Sequence, residues 1–161
     1  MPRIAPATHR TLERDAGRDA PARDARARTP WRHGMALWWL VMAGESVNGS
    51  LRELVFEPWL GAVVAGRIGF AMAAALVLAI ATLFAPWMQA ATPPAQLRIG
   101  GLWAALTLAF EAALARVMGL SLDAFVADYD PARGGLMLAG LLWLLLAPML
   151  GARLADAVAR H

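Results

Sequence analysis

The stretch IGFAMAAALVLAIATLFAPWM, residues 68–88, runs for 21 residues without a charge. At about 1.5 Å per residue, a helix of that length crosses the roughly 30 Å hydrocarbon core of a bilayer. A second run, GGLMLAGLLWLLLAPMLGA at 134–152, holds 19 uncharged residues between Arg133 and Arg153. Neither alternates in polarity, and both are about twice the length of a barrel strand, so both read as helices. Ile99–Leu120 has the same length but contains Glu111 and Arg116. The first apolar stretch starts at Met35 and stays apolar to Gly44, then meets Glu45, Asn48, Arg52 and Glu53. Its end is open, near Gly49 or as late as Phe56. The expectation is an all-α membrane protein with four transmembrane helices.

Composition agrees. Of 161 residues, 59% are hydrophobic and only 17% charged, too few to clothe a soluble domain of this size. Eight of the fifteen arginines lie in the first 34 residues, mixed with Asp, Ala and Pro. Such a segment buries too little surface to offset its ordering entropy, so 1–34 reads as a disordered, Arg-rich cytoplasmic tail. Residues 35–155 form the four-helix transmembrane domain and 156–161 a short cytoplasmic C-terminus. The first apolar run begins too late for a cleavable signal peptide. With no cysteine, thiolate metal sites and disulfides are excluded. The net charge of +3 comes from a tail beside an apolar body, which suits the lipid bilayer and its anionic surface rather than nucleic acid.

Arginine counting sets the orientation. With the tail inside, the cytoplasmic side holds the eight tail arginines with Arg98, Arg153 and Arg160; Arg52, Arg67, Arg116 and Arg133 fall outside, among Glu57, Asp123, Asp128 and Asp130. That bias places both termini in the cytoplasm of a bacterial inner-membrane, multi-pass protein. Trp31, Trp59, Trp87 and Trp103 stand near expected span ends, where indoles favour the interface. Small residues recur every fourth position at Ala65, Gly69 and Ala73 and at Gly101, Ala105, Ala109 and Ala113, a spacing that permits close helix approach.

The halves also resemble each other. Glu45 precedes Arg67, and Glu111 precedes Arg133, by 22 positions in each case, and each arginine opens an uncharged span with a late Ala-Pro pair. Two tandem two-helix repeats would be related by an axis along the membrane normal.

Counting from the inner ends puts the carboxyls of Glu45 and Glu111 near mid-bilayer. Acids at that depth cost about 2.5–3.5 kcal/mol to insert and normally face the bundle interior with partners. Glu45 shares a helical face with Asn48 and Arg52, Glu111 has Thr107 one turn before it, and Arg67, near the start of span two, is the favoured intramembrane cation for the Glu45 region. Glu45, Asn48, Arg52, Arg67, Thr107 and Glu111 are therefore the candidate proton- or cation-handling network, or else a purely structural polar network. A second polar cluster, Asp123, Asp128, Tyr129, Asp130 and Arg133, falls at the outer interface, where 121–130 reads as a short amphipathic helix and Asp130-Pro131 as the cap and first residue of span four. No metal, cofactor or catalytic residue is assigned: the histidines lie outside the spans and no phosphate-binding glycine loop occurs.

The run Glu45-Ser46-Val47-Asn48-Gly49-Ser50-Leu51-Arg52, with Trp103, Leu106-Thr107-Leu108, Phe110-Glu111, Asp128-Tyr129 and Arg133-Gly134-Gly135, resembles a group of small four-span bacterial inner-membrane proteins. The resemblance covers 35–155 and implies architecture, with attention to Glu45, Arg52, Glu111 and Tyr129; it implies no activity. The functional expectation is a small transporter or channel subunit using the glutamates, working as a homodimer or in a larger membrane complex. The alternative is a non-enzymatic assembly protein whose glutamates are structural. An acid–base membrane enzyme would need a lipid-facing pocket that sequence does not reveal.

Overall fold

A computed structural model of the chain describes residues 29–160, and within them all regular structure is helical. The expected disorder of the tail concerns residues that, up to position 28, lie outside those described. Three helices, Ala62–Leu83, Pro93–Val117 and Met137–Val158, are long and apolar enough to cross a membrane.

The first helix, α1 (Trp31–Leu51), starts four residues ahead of Met35, directly after Pro30. The chain does not stop at Gly49. It passes through a π-helical turn, Arg52–Phe56, into α2 (Glu57–Leu60) and ends at Gly61, whose φ of 77° suits glycine. The wide turn has a local cause: Pro58 has no N–H for the Leu54 carbonyl and its ring would crowd that oxygen. Bonding of the Glu57 N–H to the Arg52 carbonyl gives the ring room.

Helix α3 (Ala62–Leu83) is followed by a break at Phe84 and the short α4 (Ala85–Met88), so the uncharged run 68–88 is not one continuous helix. Pro86 opens α4 at a position where a missing N–H costs nothing. Thr92 caps α5 (Pro93–Val117) by accepting from the Ala95 N–H, with a Pro pair in the first turn. Helix α5 closes at Gly119, where the Leu120 N–H reaches back to the Ala115 carbonyl. Ser121 then caps α6 (Leu122–Ala127). Asp130 does not open the last long helix, as its sequence suggests. It caps a separate turn, Pro131–Arg133, and left-handed Gly134 (φ 84°) interrupts the chain before α7 (Met137–Val158).

The four long helices pack in the cyclic order α1, α3, α7, α5, with α7 against both α3 and α5. Small residues make this possible. A methyl on Gly100 of α5 would strike the Leu145 backbone of α7, and one on Gly151 of α7 would lie 2.6 Å from the Ala81 carbonyl carbon of α3. Of the two small-residue series, Ala65 and Gly69 are buried as expected, but Ala105, Ala109 and Ala113 face outward. Close approach on α5 falls to Gly100 instead.

Three indole bonds set the register. Trp103 Nε1 donates to the Gly34 carbonyl (2.8 Å), Trp38 Nε1 to Thr107 Oγ1 (3.1 Å) and Trp143 Nε1 to the Ala74 carbonyl (2.9 Å), each spanning 69 positions. They join α1 to α5 and α3 to α7, both as parallel neighbours. A dyad along the membrane normal would set each helix diagonally across from its counterpart; here counterparts stand side by side, so that axis does not relate the halves. Trp103 also departs from its expected place at an interface. It is fully buried, while Trp31, Trp59 and Trp87 are exposed.

Candidate functional site

Glu45 and Glu111 line one cavity of about 190 Å³ at the centre of the bundle. Helix α1 supplies Val41, Met42 and Glu45, and α5 supplies Thr107 and Glu111 one turn apart on the same face. Phe70, Ala74 and Val77 of α3 and Met137, Leu141 and Trp143 of α7 are among the apolar residues that complete it. The two glutamates and Thr107 are its polar lining.

The glutamates differ in their partners. Glu45 Oε2 accepts from Asn48 Nδ2 (3.3 Å), and the same amide donates to the Gly69 carbonyl of α3 (3.0 Å). Asn48 thus bridges the first two long helices at the level of the acid. Glu45 Oε1 and Asn48 Oδ1 are buried with no hydrogen-bond partner. Thr107 Oγ1 is held by the Trp38 indole.

The candidate cations do not join the cavity. Arg52 pairs with the adjacent Glu53 (3.1 Å), its side chain 42% exposed, and its stem lies across Gly69. Arg67 is exposed and forms no ion pair among the described residues, and Arg116 is also exposed. Two half-buried carboxyl groups therefore share a largely apolar, partly open cavity, with no cation among the described residues that line it.

The outer cluster is a separate construction. Arg133 lies 3.4 Å from Asp123 and 3.5 Å from Asp130, tying α6 to the turn that precedes α7. Asp130 Oδ1 also accepts from the Ala132 N–H at 2.9 Å. Tyr129 stacks against Phe125 with ring centroids 5.1 Å apart, and its buried hydroxyl has no partner. Burial pushes the Tyr129 phenol up, and the nearby negative charges of Glu111 and Asp128 push it further. Tyr129 makes no hydrogen bond to Glu111 among the described residues but is near enough to feel its charge. Among the described residues no group of three His, Cys, Asp or Glu is placed to hold a metal ion.

Asn48, Thr107 and both glutamates were legible as candidates from helical spacing. The roles of Trp38, Trp143 and Gly69 were not, because an indole reads as interface or core until its partner across the bundle is known. Comparison with protein-family models, curated proteins and solved structures finds no match to this chain.

Proposed function

We propose that the protein is a small four-span inner-membrane transporter or channel subunit in which Glu45 and Glu111 bind and release protons or a cation. The supporting observation is that both acids line one central cavity while the candidate arginines point elsewhere. A carboxyl pair in an apolar enclosure couples binding of one cation to loss of another, because two negative charges in low dielectric repel each other. The tail and both termini are read as cytoplasmic, and a homodimer or larger complex would supply the rest of a permeation path that four helices alone enclose poorly.

The second reading, a non-enzymatic assembly protein, draws on the Asn48 bridge between α1 and α3, which is also what a structural network looks like. Glu45→Gln and Glu111→Gln separate the two. Glutamine keeps the shape and hydrogen bonding of a protonated glutamate but cannot release a proton. Under the transport reading, the folded variants lose pH-dependent cation flux in proteoliposomes. Full proton-coupled flux in both variants sinks the assignment to these residues.

A further inference from the structure

A second hollow, of about 310 Å³, lies on the outside of the bundle at the opposite end, between α1 and α4. Ala36, Leu37, Leu40, Phe84 and Trp87 line it, and it contains no polar side chain. His33 sits three, four and seven positions before the α1 members, so it occupies the same helical face at the head of the groove. Its ring lies 4.5 Å from that of Trp87, which in turn meets Phe84 edge-on at 6.4 Å. The groove follows α1 from Ala36 to Leu40, about 6 Å. His33 lies roughly one turn before it, so the ring and Leu40 are about 10 Å apart along the helix axis, the distance from a headgroup into the acyl region.

The head of the groove is built for an anion. His33 Nδ1 is buried with no partner, and the ring's other nitrogen, Nε2, can carry a proton and donate it to an acceptor. Nε2 makes no hydrogen bond among the described residues, so a donor is on offer there. No side chain caps the start of α1, whose first-turn dipole attracts negative charge. Arg32, Arg98, Arg153 and Arg160 are exposed at this end, with Asp156 the only acid beside them among the described residues.

We infer that this groove seats an anionic phospholipid of the tail-side leaflet, one acyl chain lying against Leu40, Phe84 and Trp87 and the phosphate at His33 Nε2. The inference rests on the membrane orientation proposed above but not on the glutamates.

The test uses the full chain in detergent, titrated with phosphatidylglycerol or with phosphatidylcholine of identical acyl chains, and read by native mass spectrometry and thermal unfolding. Phosphatidylglycerol should bind about fivefold tighter, the worth of one arginine near the membrane surface, and should raise the melting temperature more. Ala36→Trp and Leu40→Trp fill the groove from its lipid-facing side; each should abolish both differences while melting at the lipid-free wild-type temperature. His33→Ala should lower phosphatidylglycerol affinity and leave phosphatidylcholine unchanged. Arg67→Gln, at the far end, should change neither. Equal binding of the two lipids, or a headgroup preference that survives both Trp variants, overturns the proposal. So does a preference that emerges only after deletion of residues 1–28, which would make the tail the occupant. Labelling of single cysteines at Glu57 and Ala159 in intact cells reports orientation independently, so failure of the topology is distinguishable from failure of the groove.

Discussion

The indole of Trp38 and the hydroxyl of Thr107 meet at 3.1 Å, joining α1 to α5 one turn before Glu111 on the cavity wall. Trp38 is 5% exposed, so its N–H has no water to fall back on. Thr107→Val keeps the shape and removes the acceptor. The expected cost is about 1–3 kcal/mol, the penalty of a buried unpaired donor. Thr107→Ser should recover most of it in thermal unfolding, and a silent Val variant would show that the bond carries nothing.

Gly100 and Gly101 form a matched pair for testing helix contact. A methyl at Gly100 meets the Leu145 backbone, whereas one at Gly101 finds its nearest neighbour, a Leu145 methyl, at 3.9 Å. Gly100→Ala should destabilise by about 1–3 kcal/mol through overpacking. Gly101→Ala should be neutral or slightly stabilising, since alanine is the better helix former by about 1 kcal/mol. Detergent-denaturation midpoints of the two variants rank them directly.

Tyr129 is the only tyrosine in the chain, so its ionisation can be followed by absorbance alone. Burial and the charges of Glu111 and Asp128 raise its midpoint in the fold above the ordinary value of about 10. The unfolded chain ionises first as pH rises. The stabilisation is therefore complete below pH 10 and is lost as pH climbs through the folded midpoint. Tyr129→Phe should remove that part of the alkaline loss. Glu111→Gln should move the tyrosine midpoint down towards its ordinary value, and an unmoved midpoint would separate Glu111 from the outer cluster.

Apolar runs announced three of the long helices, but boundaries moved wherever short-range chemistry intervened. Phe84 and Pro86 cut the uncharged run 68–88 short, and Gly134 detached the Asp130 cap from α7. The π-helical turn ahead of Pro58 kept α1 going where polar residues suggested an end. For the site, helical spacing placed Thr107 beside Glu111 and Asn48 beside Glu45 without reference to any neighbour. Their convergence on one cavity depends on how α1 and α5 rotate against α3 and α7. Gly100 and Gly151 bring α5 and α3 close to α7, while the Asn48 and Trp38 side chains tie α1 to α3 and α5; nothing distinguishes those two glycines from others in a chain with fourteen.

Helix α1, unlike the other three long helices, is not apolar enough to meet the measure of a span by its own composition, and it is also the first of them to be synthesised. Its polar groups are met by parts of the chain made after it: the Gly69 carbonyl for Asn48, Thr107 for Trp38 and the Trp103 indole for its own Gly34 carbonyl. Under the four-span proposal, the opening segment is therefore the one whose burial in a bilayer depends on segments made after it.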